Sequence, residues 1–191
     1  MAIVMRGYSI QGPGLTPTAT PTTLAPPSPT PTATPAVGPW QLLLNPGFET
    51  GDAWQIPQTE SPAAYSEERA FSGRRSMRLG IGPTGNVYSY SSCQQVVTIP
   101  SWVTEANLFF RYFPIMSWPD LDEIYVCVLE ASSDAPLQCW TWQELEPSWH
   151  AGYFDLISFS GQRVKVHFGM RNDGIGGSAV VFVDDVELWV Q

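Results

Sequence analysis

The chain has 191 residues, 43% of them hydrophobic and 13% aromatic, enough for one core of ordinary size. Eighteen acidic residues against nine basic ones leave a net charge of −9, which argues against nucleic acid because no basic stripe exists to displace phosphate counterions. No stretch approaches the roughly 18 apolar residues of a membrane-spanning helix, so membrane insertion is not expected.

The first eleven residues, MAIVMRGYSIQ, read as a short strand in which Ile3, Val4, Met5 and Tyr8 would carry the contacts. No secretory leader is legible here, because Ala2–Met5 is too short for an apolar signal region and Arg6 follows it. A lone strand leaves its backbone groups unpaired, whereas the open edge of a sheet accepts an added strand. Two readings stay open: a strand donated to this domain or to a neighbouring copy, and an unpaired tail. Donation from copy to copy would be head-to-tail and would build a filament.

Residues 12–39 hold half of the 18 prolines, with threonine filling most gaps. Such a run can neither bury a core nor join a ladder. It predicts a polyproline-II-like linker with a span of up to roughly 80 Å. Ser/Thr-rich tracts with proline are also typical O-glycosylated stalks. Thr16, Thr18, Thr20, Thr22, Thr23, Thr30, Thr32 and Thr34 are the candidate acceptors. The tract points to a secreted or cell-surface modular protein.

From Trp40 to Gln191 the pattern changes to short strands with turn signals between them. RSMRLGI alternates, with Met77, Leu79 and Ile81 on one face. ANLFFRYF, EIYVCVLEA and SAVVFVDDVELWV are rich in β-branched and aromatic residues. RVKVHFGMR places Val164, Val166, Phe168 and Met170 on one face, and Arg163, Lys165, His167 and Arg171 on the other. Glycine-, proline- and aspartate-rich turns recur about every ten residues, and no helical period persists. The expectation is all-β: an antiparallel jelly-roll sandwich behind the linker.

Cys127 and Cys139 flank a turn centred on Ser133, which would set them opposite each other on neighbouring strands, close enough for a disulfide. Two free thiols are the alternative. Cys93 reads as a small core residue. Tyr88 and Tyr90 share one strand face, and Trp140 and Trp142 share another; Trp118 lies in the loop PIMSWPD. Trp118, Trp140, Trp142 and Tyr88 are the expected exposed aromatics, because sugar rings pack their CH groups on such side chains. No nucleophile elbow, zinc-helix motif or phosphate loop is present, and GIGPTG lacks the spacing for one. Catalysis is not expected.

LLLNPGFETGDAWQ, AFSGRRSMRLG and VVFVDDVEL resemble, in this order, the opening strand, next turn and closing strand of calcium-containing jelly-roll carbohydrate-binding modules. ANLFFRYFP and WHAGYFDLISFSGQRVKVHFGMRNDG are similar to bacterial extracellular domains of MAM-like, galactose-binding-like form. The resemblance covers nearly all of Trp40–Gln191. It implies core positions for Trp54 and Trp149. It also implies a structural Ca²⁺ held by Glu49 and Asp184, with backbone carbonyls near Ser72 and Gly73 completing the oxygen shell. Strand alternation predicts that Asp184 and Asp185 point to opposite faces, with Asp184 on an inward face beside Val180 and Phe182. A salt bridge from Asp184 to Arg74 or Arg75 is the competing account. The predicted function is a non-catalytic extracellular module binding a polysaccharide or surface glycan. The alternative is a self-assembling structural subunit whose partner is another copy of itself.

Overall fold

Side chains of period two can bury one face of a strand only against a second sheet, and the chain answers this with two antiparallel sheets. A computed structural model describes residues 38–82, 85, 87–116, 121–177 and 179–191. The described strands are β1 (Trp40–Gln41), β2 (Ala64–Ser66), β3 (Ser76–Gly80), β4 (Tyr88–Thr98), β5 (Ala106–Met116), β6 (Glu123–Glu130), β7 (Pro136–Trp142), β8 (His150–Asp155), β9 (Arg163–Asp173) and β10 (Ala179–Val190), with a single 3₁₀ turn at Ile157–Phe159. One sheet runs β2-β3-β10-β5-β8, with β1 also pairing to β10, and the other runs β4-β9-β6-β7. The N-terminal segment with Ile3, Val4, Met5 and Tyr8, the linker threonines and Trp118 lie outside the described residues.

The core forms where the inward sets meet. Val164, Val166, Phe168 and Met170 of β9 are almost wholly buried, as are Ile124, Val126 and Val128 of β6. They face Leu108 and Phe110 of β5 and Val181, Val183, Val186 and Leu188 of β10 in one cluster. Phe48 and Trp54 plug one end, their rings 5.0 Å apart, and Trp54 meets Phe168 edge-on at 6.3 Å. Cys93 is buried there as a free thiol, and burial pushes its pKa far up.

The inward face of β10 is not the one its alternation suggests. Val180 and Phe182 belong to a separate small cluster with Phe113, on the outer side of the six-stranded sheet. Trp149 packs on that cluster, and the Arg69 guanidinium lies 3.9 Å above the Phe113 ring. Asp184 therefore shares the outer face with Val180 and Phe182, not an inner one. The strand then changes parity at a register shift between Asp184 and Glu187, where Asp185 takes φ 45°. An extra residue in one strand reverses which positions face the core, so Val186, Leu188 and Val190 point inward beyond it.

In the β6–β7 hairpin Cys127 lies directly opposite Cys139, and their sulfurs are bonded. The bridge lies on the outer side of the four-stranded sheet, since its neighbours Val126 and Val128 face the core. Closing a loop with a sequence separation of 12 contributes about 3 kcal/mol through the unfolded chain. A C127S/C139S double variant should therefore keep the fold and lose about that much stability, read as a lower urea midpoint at unchanged slope.

Candidate functional site

The outer face of the four-stranded sheet is built around a missing side chain. Tyr125 of β6 lies directly across from Gly169 of β9, and a Cβ at Gly169 would come within 2.0 Å of the Tyr125 ring carbon Cζ. Glycine lets the phenol lie flat across the sheet, where it stacks on His167 with centroids 5.6 Å apart and planes 16° apart. Tyr90 of β4 meets the same ring edge-on at 6.3 Å, and Tyr88 meets Tyr90 at 5.6 Å. The hydroxyls of Tyr88 and Tyr90 share a hydrogen bond of 2.9 Å. That bond, with partial burial, raises the Tyr90 pKa.

Polar groups beneath these rings form one oriented chain. The Gln94 amide nitrogen donates to Gln55 at 3.4 Å, which turns its carbonyl oxygen toward His167 Nδ1 at 2.9 Å. Nδ1 is thereby assigned the proton, and Nε2 accepts from the Tyr125 hydroxyl at 3.4 Å. Burial pushes His167 down to about 4 and Tyr125 up to about 12. Both groups are neutral across the ordinary pH range.

Two cations on this face, Arg171 and Lys165, are paired. Arg171 meets Glu123 at 3.2 Å and donates to the Leu121 carbonyl at 3.0 Å. Lys165, the chain's single lysine, is buried and paired with Asp134 of the hairpin turn. A cavity of about 360 Å³ opens between Tyr90, Tyr125, Thr141, Arg171, Glu123 and the Cys127–Cys139 bridge. Although Ser92, Gln94 and Lys165 alternate with core-facing neighbours, they are themselves buried, so the face is recessed. Its rings, amide, imidazole and guanidinium suit a polyhydroxylated ligand held without net charge.

Of the aromatics singled out in the sequence, Tyr88 lies at the end of this face and is well exposed. Trp140 and Trp142 share a face, but it is the inner one, and both are half-buried rather than exposed. Trp140 stacks on Phe154 with centroids 4.0 Å apart, and Trp142 meets Tyr112 edge-on at 5.4 Å. Together with Phe110 they line a slot of about 320 Å³. Their inward direction follows from Cys139, which takes the outer face and sends both tryptophans to the other side.

Glu49 and Asp184 converge on the turn before β3. Asp184 is fully buried and accepts from the backbone N–H of Phe71 at 2.7 Å, Ser72 at 3.2 Å and Asp185 at 2.8 Å. Glu49 Oε1 accepts from Arg74 and Arg75 N–H at 2.9 and 3.1 Å, and those bonds lower its pKa. Gly73 fits between them at φ 60°, where a Cβ would fall 2.2 Å from Glu49 Oε1. Asp185 also turns to this loop and accepts from the Ser72 hydroxyl at 2.7 Å. The bulge, by breaking the alternation, thus brings both aspartates to one place, against the expectation of opposite faces. Among the described residues neither Arg74 nor Arg75 pairs with Asp184: Arg74 meets Glu67 at 3.7 Å, and Arg75 lies 4.8 Å above the Tyr65 ring. Burial pushes Asp184 up to about 6 in spite of its three amide donors. Among the described residues no group of three or more His, Cys, Asp or Glu is spaced to hold a metal on side chains alone.

The half-buried His167 carries a pH signature. Its folded pKa of about 4 lies below the ordinary 6.5, so protons favour the unfolded chain. The His167 contribution should be flat above about pH 6.5 and fall by on the order of 3 kcal/mol as the pH approaches 4. The stability difference between the wild type and H167Q, read by urea titration, should change by this amount between pH 8 and pH 4.

No protein-family model matches the chain. Among curated proteins it is similar to bacillopeptidase F of Bacillus subtilis (strain 168), with 27% identity over 139 residues, 71% of this chain; the chain spans 9% of that relative's length. Among solved structures it is similar to TmCBM61 in complex with β-1,4-galactotriose, with TM-score 0.57, 17% identity, and 78% of this chain and 99% of that one covered. The family 11 carbohydrate-binding module of Clostridium thermocellum, in complex with a β-1,3-1,4-mixed-linked tetrasaccharide, matches with TM-score 0.51, 15% identity, and coverage of 80% and 96%. The enzymatically active domain of bacteriophage CBA120 tailspike protein 4 matches with TM-score 0.53 and 9% identity over 21% of its chain. The chain thus shares the β-sandwich fold of carbohydrate-binding modules, as its strand order and motifs led one to expect.

Proposed function

We propose that the chain is a non-catalytic, extracellular or cell-surface module that binds carbohydrate on the recessed outer face of its four-stranded sheet. The observation that carries this reading is the tyrosine row Tyr88–Tyr90–Tyr125 lying over a neutral, pre-oriented Gln94–His167 network beside an open cavity. A pyranose has apolar CH faces and a rim of hydroxyls. Rings take the first; the amide, the imidazole chain and the Arg171–Glu123 pair take the second. Two structural neighbours were solved with β-linked oligosaccharides, which supports a glycan as the ligand class. Catalysis forms no part of this reading: the His167 imidazole is neutral and committed at both nitrogens, and burial holds the Tyr125 phenol beside it up at about 12.

A structural calcium ion belongs to the same proposal. Asp184 is a fully buried acid whose described partners are amides and not a cation, and burying a carboxylate without a counter-charge is costly. Glu49 and Asp184, with the carbonyls of Ser72 and Gly73, would hold the ion. Its chemistry there would be charge compensation and cross-linking of the turn to β10.

Two measurements test these statements. Y90A should weaken retention on galactan, xylan or mixed-linkage β-glucan in affinity electrophoresis by about 10-fold, about 1.4 kcal/mol, with an unchanged melting temperature because Tyr90 is exposed. Unchanged retention on every glycan that the wild type binds would remove the site. For the ion, a chelator should lower the melting temperature of the wild type and leave E49Q unmoved; a wild type indifferent to both chelator and added calcium would refute it.

A further inference from the structure

The outer face of the other sheet carries a second arrangement of rings and polar groups. The register sets two cross-strand rows over β10, β5 and β8: Glu187–Phe109–Tyr153, and beside it Trp189–Asn107–Asp155. Each ring is thus flanked by a hydrogen-bonding side chain along or across the strands. Phe109 and Tyr153 pack with centroids 5.2 Å apart and are 41% and 55% exposed. The Tyr153 hydroxyl donates to Asn107 at 2.9 Å, and the Trp189 indole donates to Glu187 at 2.7 Å, so the polar members are oriented rather than loose.

The two halves of this face are finished differently. Over Phe113 and Phe182 it is sealed by Arg69 and Trp149. Over Phe109 and Tyr153 it is open, with a cavity of about 290 Å³ on either side of the ring pair. One cavity holds Arg111 and Glu187; the other holds Glu105, Asn107 and Asp155. A large ring pair left open between two polar hollows is a recognition surface rather than unfinished core.

We propose that this open half is a second glycan-binding site, for an uncharged polysaccharide chain laid across Phe109 and Tyr153. Charge selects the class. Four carboxylates, Glu105, Asp155, Asp185 and Glu187, line the two cavities against one guanidinium, that of Arg111, so a uronate or sulfated chain is repelled while hydroxyl donors find oriented acceptors. The inference rests on the reading of the chain as a carbohydrate-binding module, but on the opposite sheet and on none of the same residues. Two sites on opposite faces would let one module join two chains of a polymer, or strengthen attachment to one surface by multivalency.

The test separates the two faces. Neutral galactan, xylan and mixed-linkage β-glucan are the probes, polygalacturonate is the charge control, and a soluble oligosaccharide of the retained glycan is used for calorimetry. The wild type should bind two oligosaccharides per chain. F109A/Y153A should bind one, Y90A should keep one site at wild-type affinity with the other weakened about 10-fold, and the combined variant should keep only the weakened site. Both rings are exposed, so F109A/Y153A should melt within about 2 °C of the wild type. Y153F, which keeps the ring and loses the Asn107 contact, should retain the second site with affinity reduced several-fold. Binding at a single site, weakened by Y90A and untouched in F109A/Y153A, overturns the second site and leaves the first. Binding of no neutral glycan by the wild type overturns both. Retention on polygalacturonate that F109A/Y153A removes overturns the assigned ligand class.

Discussion

Everything on the four-stranded sheet depends on the parity of β9. Val164, Val166, Phe168 and Met170 enter the core, where they pack in one cluster with Leu108, Phe110 and Trp54. Once they do, Lys165, His167, Gly169 and Arg171 have no choice but the outer face. The recessed surface is therefore a consequence of core packing. His167 is half-buried and neutral because the core set its side, and Tyr125 lies flat because the residue opposite it is glycine. A one-residue slip of β9 would bury Lys165 and Arg171 in the core and expose Phe168, so the register is protected by the full cost of burying charge.

The six-stranded sheet is governed by the opposite device, a break in parity. Before the bulge β10 sends Val180, Phe182 and Asp184 outward; after it, Glu187 and Trp189. Val180 and Phe182 are apolar and had to be covered, which the Arg69–Phe71 turn and Trp149 accomplish, while Asp184 is buried against the amides of the same turn. The second set is polar with an aromatic, and it joins Phe109 and Tyr153 in an open array. The bulge is thus the boundary between a sealed and an exposed half of one face, and it also gathers Asp184 and Asp185 beside Glu49. Asp185 adopts its positive φ where those three functions meet.

How much of this was legible follows from the range of each signal. The period of two is local, so the inner face of β9 and the position of Cys127 opposite Cys139 could be read directly. The direction of Trp140 and Trp142 was also implicit, since Cys139 points outward and its neighbour cannot. Residue type alone favours exposure for these tryptophans, whereas parity within the hairpin sets them inward. The face of Asp184 is ambiguous in the sequence, because Val180 and Phe182 are as apolar as Val181 and Val183, and only the pairing with β5 and the packing show which set faces inward. Tyr125 was passed over for a similar reason: its role comes from Gly169, a partner 44 positions away that strand pairing alone brings to it. Short-range order was written in the residues. Contacts that make a site were written in the register.

Net charge and ligand class can be reconciled on this basis. A chain with a net charge of −9 would repel acidic polysaccharides at long range, yet its recessed face keeps each cation locally matched: Arg171 with Glu123, Lys165 with Asp134. The imidazole between them carries no proton to spare, and the phenol beside it holds its own. What remains for a ligand is ring surface and oriented neutral dipoles, which salt screens little compared with exposed charge. Recognition built in this way should be insensitive to ionic strength and to pH over the neutral range.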